Sequence, residues 1–376
     1  MRALALLTVP VLLLTACAPK VSVQMLRPAD VALPATIHTL AVVDRSAPTG
    51  AGQQILGTLE AAITGEGILE DRDGAREAMG GLTQVLRDSP RFEVVIISAD
   101  NQAVESSIWD RELGWNAARR LARNVNADAI VALEAFDSDS FVDHRVETQT
   151  TNGTTTQKHV ASRETRVLAA WRVYDVSEER VLDDVRDHAY TNTWEEEGAS
   201  RREATDKLPS RAFTVLDLGR DAGVGYGMRI APTYVWQRRA YYGGGSPRLK
   251  EAKNYVKAQD WEGAVALWTL AAKAADPKIR GKAEFNMALA LEVGGDLEGA
   301  LEWAKKAAVS LANGRARKYV STLQFRIREA ERVAEQMRAA EAAPPARGTQ
   351  RPVEGGELAV PADEPAPQDR GMSRPR

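Results

Sequence analysis

The chain has 376 residues, and its 49 Lys and Arg residues nearly balance its 52 Asp and Glu residues, for a formal net charge of −3. A near-neutral net charge argues against nucleic acid as a partner. The single cysteine excludes intramolecular disulfides and cysteine-rich metal sites. The length suggests two domains or one large domain.

The first motif is Leu14-Thr15-Ala16-Cys17, which follows the basic residue Arg2 and a short apolar run. A basic start, a short apolar stretch and small residues before a cut site are typical of a secretory signal peptide, and the run is too short to span a bilayer. With the cysteine directly after two small residues, the motif resembles the lipobox of bacterial lipoproteins. This resemblance implies cleavage before Cys17 and stable membrane anchoring by acyl chains attached there. An ordinary signal peptide with an incidental cysteine is the alternative.

Residues 18–34 carry Pro19, Pro28 and Pro34 without a sustained apolar period, which predicts an extended tether that lifts the body off the membrane. The residue after Cys17 is Ala18, not the aspartate associated with inner-membrane retention. By resemblance to sorted lipoproteins, we expect a cell-envelope protein anchored in the outer membrane and facing the periplasm. We assign residues 1–16 to the signal peptide and residues 17–35 to the tether.

The next stretch predicts alternating strands and helices. Short apolar runs at 37–43, 92–97 and 129–133 suit buried strands, whereas apolar residues recur at helical spacing at 55–63, 79–86 and 111–124. Long β-prone stretches follow from Ser140 to Trp194, with a tight hairpin turn indicated at Asn152-Gly153 and a second turn at 177–179. The pattern predicts a β-α-β-α-β start with an antiparallel meander attached.

Four segments carry a resemblance: "TLAVVDRS", "SPRFEVV", "NADAIVALEAFDSDS" and "RVYDVSEERVLDD". Their order is similar to the periplasmic α/β domains at the start of TolB and in the curli-secretion lipoprotein CsgG, over roughly residues 36–194. The resemblance implies a domain that binds protein partners or assembles and is not catalytic. The hairpin tip from Gln149 to Lys158 is wholly polar, which argues against a membrane-inserting pore.

A helical segment at about 199–229, interrupted at Pro209, leads to four aromatic residues that we expect to pack as a strand against this domain: Tyr234, Trp236, Tyr241 and Tyr242. The glycine-rich run 243–247 then predicts a flexible joint. We therefore place the boundary after Gly245 and assign residues 36–245 to the α/β domain.

Beyond the joint, the segment 260–265 (DWEGAV) recurs 36 residues later as 296–301 (DLEGAL). Each copy indicates two helices joined by a polar turn, with small residues where the paired helices approach closely: Ala264, Ala271, Ala300 and Ala307. This resembles a tetratricopeptide repeat (TPR), whose usual period is 34 residues. A long amphipathic helix at 315–338 is expected to cap the array.

We assign residues 246–341 to this repeat module and the proline-rich residues 342–376 to a disordered tail. The order of lipobox, α/β domain, aromatic strand and repeats looks like an uncharacterised family of bacterial TPR-containing lipoproteins.

No catalytic constellation stands out. The four histidines, at 38, 144, 159 and 188, lack ligand-like spacing. Three of them fall on adjacent predicted strands: His144, His159 and His188. We interpret these as part of a polar sheet face. Asp137, Asp139 and Asp143 lack the glycine and the third oxygen ligand of a calcium loop, so we interpret them as a solvated strand end. The run Gly223-Val224-Gly225 follows a helical stretch, which favours close helix packing over a dinucleotide loop. We predict a non-enzyme without a metal or another cofactor.

The predicted class is α+β: a mixed-sheet α/β domain similar to those of TolB and CsgG, followed by an all-α TPR-like repeat module. The leading hypothesis is a lipid-anchored, non-enzymatic scaffold whose repeats present a groove to an unidentified protein or peptide. By resemblance to TPRs, the first helix of each pair lines this groove, which nominates Lys253, Lys257, Lys282, Phe285, Leu289 and Glu292.

The three lysines of that set suggest an acidic segment or a C-terminal carboxylate as the ligand. The alternatives are a homo-oligomeric export or envelope-assembly component of the CsgG or LpoB type, and a hydrolase with an unrecognised site.

Overall fold

The computed structural model describes residues 18–46, 68–97, 112–151, 154–186 and 188–343. The strands are β1 (Lys20–Arg27), β2 (Thr39–Asp44), β3 (Glu93–Ile97), β4 (Ala129–Thr151), β5 (Thr154–Asp175), β6 (Arg180–Val185), β7 (Ala189–Gly198) and β8 (Thr233–Ala240). The helices are α1 (Ile68–Asp88), α2 (Trp115–Asn124), α3 (Arg201–Lys207), α4 (Arg211–Ile230), α5 (Pro247–Lys257), α6 (Trp261–Ala271), α7 (Pro277–Val293), α8 (Leu297–Leu311) and α9 (Gly314–Ala342).

The predicted α+β class is confirmed by a mixed sheet followed by a C-terminal helical region. The predicted lipobox cysteine Cys17, the helix at 55–63, the turn at Asn152-Gly153 and the tail from residue 344 lie outside the described residues. Within the described ranges, no helix is both long enough and apolar enough to cross a membrane.

Six strands form the sheet in the order β3-β2-β4-β5-β6, and β7 pairs with a further stretch of β5. Strand β2 is parallel to β3 and β4, whereas the pairs that involve β5 are antiparallel. The predicted strand at 129–133 does not end there: the register shifts by one residue at a bulge between Leu133 and Ala135, and pairing with β5 continues up to Thr151. The predicted strand at 181–194 is two strands, β6 and β7.

Helices cover both faces of the sheet. Leu40 and Val42 of β2 pack with α1 and α4, whereas Ala41 and Val43 point to the opposite face and pack with α2. Helices α1 and α4 approach each other closely, since a Cβ atom added to Gly219 would lie 2.5 Å from the carbonyl oxygen of Gly74. Gly223 meets the backbone of α1 in the same way, which confirms close helix packing at the glycine-rich run.

Strands β1 and β8 form a separate antiparallel ribbon, and this corrects the predicted tether. Every residue from Lys20 to Arg27 pairs with a residue of β8, and the Pro19 carbonyl oxygen accepts a hydrogen bond from the Tyr241 backbone at 2.9 Å. The physical reason is the alternation of apolar and polar residues in β1, whose Val23 is only 2% exposed. The prolines obscured that short strand signal.

Helices α5 to α9, residues 247–342, form the helical module. The duplicated sequence is duplicated in structure: Asp260 and Asp296 cap α6 and α8 by accepting hydrogen bonds, each 2.8 Å long, from the backbones of Gly263 and Gly299. The residue before each cap has a left-handed backbone, with φ of 62° at Gln259 and 86° at Gly295. All four repeat alanines are buried: Ala264, Ala271, Ala300 and Ala307.

The last helix, α9, returns to the α/β domain. The side chain of Gln336 exchanges two hydrogen bonds with the backbone of Ala29, of 3.2 and 3.3 Å. The His38 Nε2 atom lies 3.1 Å from the Ala340 carbonyl oxygen. Helix α9 and the ribbon therefore both connect the module to the rest of the protein.

Candidate functional site

The predicted groove lies along α7 and is not open. Phe285, Leu289 and Glu292 are only 4%, 0% and 2% exposed, so the expectation that they face a free ligand is corrected. The physical reason is that residues 239–245, which we call the connecting segment, lie over this face of α7. The groove is therefore filled by the chain's own backbone and side chains.

Asn286 of α7 holds the connecting segment by its backbone. The Tyr242 N–H donates to the Asn286 Oδ1 atom and the Asn286 side-chain amide donates to the Tyr242 carbonyl, each over 2.8 Å. Asn286 is 0% exposed, so its amide is desolvated, and both its oxygen and its nitrogen take part in this strand-like pairing. A buried amide that matches both backbone groups of one residue selects an extended chain without regard to its side chain.

The Tyr242 ring fills an aromatic and basic cage. It meets the Phe285 ring edge-on at 5.2 Å, and the Arg315 guanidinium carbon lies 4.3 Å from its centre. The Lys282 ammonium is 5.9 Å away from the ring, and the Asn313 amide donates to its hydroxyl over 3.4 Å. Cation–π and edge-to-face contacts of this kind favour an aromatic side chain at this position.

Glu292 is the charged centre of the junction, with a side chain that is 0% exposed. Its carboxylate accepts hydrogen bonds from Arg239 of the connecting segment at 3.1 Å, from the Tyr319 hydroxyl at 2.6 Å and from Arg326. Burial and the neighbouring carboxylate raise the pKa of Tyr319, so the hydroxyl remains a donor. One buried carboxylate thus joins β8, α7 and α9.

The predicted flexible joint at residues 243–247 packs against lysine side chains of α5 and α7. A Cβ atom on Gly243 would lie 2.9 Å from the Lys253 side chain, and one on Gly245 would lie 2.7 Å from the Lys282 ammonium. Gly245 also has a φ of +112°, a conformation that favours glycine. Lys257 is exposed one turn beyond Lys253 on α5. The aromatic segment was expected to pack on the α/β domain; instead Tyr241 and Tyr242 pack on the helical module.

The other candidate residues do not form a reactive site. His144 and His159 stack on neighbouring strands, with Nε2 and Nδ1 3.0 Å apart, whereas His188 packs edge-on against Tyr190. The three aspartates Asp137, Asp139 and Asp143 lie along the middle of β4 and not at a strand end. In the part of the chain that the structure describes, no three His, Cys, Asp or Glu side chains are placed to hold a metal ion.

A buried ion pair was not anticipated from the sequence. Arg45, directly after β2, donates to Glu134, the bulge residue of β4, at 2.7 and 2.5 Å, and the Tyr174 hydroxyl donates to the same carboxylate at 2.5 Å. Burial and the Glu134 charge raise the pKa of Tyr174 to about 12. The three groups satisfy one another between the interior strands of the sheet, so none of them is left as a free base. The one available signal was a glutamate inside an otherwise apolar strand.

A small cavity of about 190 Å³ lies between the sheet and α4, and its walls include Trp171, His188, Tyr190, Tyr226 and Arg229. The Trp171 and Tyr226 rings stack at 5.0 Å on its floor. The Arg229 guanidinium is held by Asp183 through two hydrogen bonds of 2.9 Å. The cavity holds no nucleophile paired with a base among the described residues.

Two family matches divide the chain at the connecting segment. Residues 250–325 match a family described as "Domain of unknown function (DUF6340)", and residues 37–242 match one described as "Domain of unknown function (DUF8603)". The predicted boundary after Gly245 falls between the two matches. No curated protein matches the chain. Because the match to residues 37–242 covers more than half of the 376 residues, the chain belongs to the family described as "Domain of unknown function (DUF8603)".

Proposed function

We propose that the protein is a lipid-anchored, non-enzymatic scaffold of the cell envelope, attached through Cys17 to the outer membrane and facing the periplasm. In this proposal the helical module is of the TPR type and its groove binds an extended segment of a protein partner. The observation that carries the proposal is the pairing of Asn286 with both backbone groups of Tyr242. The α/β domain, similar to those of TolB and CsgG, then supports the module.

The groove defines the chemistry of the partner. It accepts an extended backbone at Asn286 and an aromatic ring in the cage around Phe285 and Arg315. Lys253 and Lys282 flank the segment and make no ion pair with a described residue, so acidic side chains or a terminal carboxylate on the partner complement them. The connecting segment occupies the same place, and a partner therefore competes with it.

A fluorescent peptide with the sequence of residues 238–247 tests the groove on the full chain. The tethered segment has an effective concentration in the millimolar range, so we expect no binding to the wild-type chain at micromolar peptide. In the Tyr242→Ala variant the tethered segment loses its ring contacts, and the peptide, which keeps its tyrosine, should take its place. Fluorescence polarisation measures the binding.

Two controls make this test specific. Tyr234→Ala removes an exposed tyrosine of β8, outside the connecting segment, so that variant should bind no peptide. Adding Asn286→Ala to Tyr242→Ala removes the backbone pairing and should abolish the binding gained. Equal binding by the single and double variants would exclude α7 as a peptide groove.

The long β4–β5 hairpin favours a second function, assembly of several copies into an export or envelope-assembly component. Beyond Ser138, β4 pairs with β5 alone within the described ranges, and Phe141, Val142 and Val146 are 65%, 47% and 48% exposed. Exposed strand edges with apolar side chains promote pairing between chains. If several copies assemble, the mass of the wild-type chain in mild detergent should be well above that of the monomer, and Val142→Lys should be monomeric. A monomeric wild-type chain would exclude assembly.

A further inference from the structure

The β1–β8 ribbon has one exposed face with an aromatic and basic composition. Its cross-strand pairs are Leu26 with Tyr234, Gln24 with Trp236, Ser22 with Arg238 and Lys20 with Ala240. Trp236 is 65% exposed and Tyr234 is 47% exposed. The opposite face carries Val23, which is buried against the helical module. The exposed aromatic rings therefore belong to an ordered surface that the helices do not cover.

The charge of this face has one sign. The two strands contain four basic residues and no acidic residue. Arg239 is committed to Glu292, and Arg27 donates to Asp30 at 2.9 Å. Lys20 and Arg238 are exposed and make no ion pair with a described residue. Trp and Tyr favour the headgroup region of a bilayer, and Lys and Arg attract anionic lipids.

Chain connectivity brings this face close to the proposed anchor. The Pro19 carbonyl is hydrogen-bonded to the Tyr241 backbone, so Pro19 is fixed at one end of the ribbon. Cys17 precedes it by two residues, and two residues of extended chain span at most about 7 Å. A lipid on Cys17 therefore leaves no room for a spacer between the ribbon and the bilayer.

We propose that the exposed face of the ribbon lies on the membrane surface, with Trp236 and Tyr234 in the headgroup region and with Lys20 and Arg238 against anionic lipid headgroups. The proposal rests on the lipid anchor proposed above and replaces the predicted tether by a docked orientation. The body is then held against the bilayer at two places, the acyl chains and the ribbon.

Fluorescence of the lipidated full chain in vesicles tests the contact. The vesicles contain phosphatidylcholine with brominated acyl chains and a minority of phosphatidylglycerol, and flotation first shows that the protein is bound. The chain has eight tryptophans, so the difference between wild type and Trp236→Phe isolates the signal of Trp236. We expect the brominated lipid to quench most of that signal.

Trp303→Phe provides the matched control, because Trp303 lies on α8, outside the ribbon, and its signal should persist. A Lys20→Glu, Arg238→Glu variant should still float but lose most of the Trp236 quenching. A chain that floats without quenching of Trp236, or with equal quenching of Trp303, overturns the ribbon contact and leaves the anchor intact. A chain that does not float overturns both proposals. Protection of Trp236 from both brominated lipid and aqueous acrylamide means that protein covers the face, which also overturns the contact.

Discussion

The α/β domain and the helical module differ in where the residues of their cores originate. The two main clusters of the α/β domain contain only residues between 31 and 231, most of them from the strands and helices of the domain itself. The clusters of the helical module include Val23 of β1 together with Tyr241 and Tyr242 of the connecting segment. The helical module is therefore not a self-contained repeat array, because β1 and the connecting segment contribute residues to its core.

The buried ion pairs of the α/β domain and of the helical module also differ in where their partners originate. In the α/β domain, Arg45 and Glu134 pair within one sheet. In the helical module, Glu292 pairs with Arg326 from the module and with Arg239 from β8. The face of α7 that was predicted to bind a partner therefore already binds a segment of this chain. Four predictions test this comparison, in order of decreasing effect.

Glu292→Gln should destabilise the junction most. The glutamine keeps the shape of the side chain but leaves Arg239 and Arg326 buried without a countercharge, which costs about 3–5 kcal/mol. Urea unfolding followed by circular dichroism measures the change. The matched control is Glu298→Gln on exposed α8 surface, which should change the unfolding free energy by less than about 0.5 kcal/mol. Similar losses in both variants would argue against a junction centred on Glu292.

Tyr174 should make the α/β domain sensitive to alkaline pH. Its folded-state pKa of about 12 lies above the ordinary value of about 10, so the folded state holds the proton more tightly. This contribution is complete below pH 10 and is lost as the pH rises to 12, which amounts to about 2–3 kcal/mol.

Unfolding free energies on either side of this pH window measure the effect. Tyr174→Phe lowers stability at every pH but should show a smaller alkaline loss than the wild type. Tyr234→Phe, at an exposed tyrosine, should retain the wild-type pH dependence. An unchanged alkaline loss in Tyr174→Phe would contradict the assignment.

Ala264→Leu and Ala300→Leu test whether the duplicated turns place both alanines in closely packed helix pairs. Both residues are 0% exposed, so the larger side chain should cost about 1–3 kcal/mol. Thermal melts should show a lower helical transition for each variant, with the α/β transition unchanged. Ala334→Leu on the exposed side of α9 is the control. Tolerance of leucine at both buried positions would remove the support for paired helices there.

Val23→Ala gives the smallest effect and the sharpest test of the comparison. The side chain lies in β1 but belongs to the core of the helical module. Its truncation should therefore lower the unfolding free energy of the module by roughly 1–2 kcal/mol. Val309→Ala serves as the control, because Val309 is 82% exposed on α8. A loss confined to the α/β transition would show that the module closes its core alone.

Local patterns in the sequence determined much of the secondary structure. A short apolar run predicted the strand around Leu40, and a period of 3.6 residues predicted the helix around Leu82, because neighbours along the chain define which faces are apolar. The repeat also follows from local chemistry, since Asp260 and Asp296 cap helices whose first turn they begin. The resemblance to TPRs, by contrast, placed the groove candidates on α5 and α7.

Only the tertiary structure decided what covers those faces. Pairing of Lys20 with Ala240 joins residues that are far apart in sequence, and no local period encodes the partner of a strand. Glu134 is buried in the sheet with its charge neutralised by Arg45, which directly follows β2. Glu292 was predicted to line an open groove, yet it binds Arg239. Asn286, which was not among the predicted groove residues, binds Tyr242. A sequence pattern determines which side of an element must be buried, whereas the segment that buries it depends on long-range contacts.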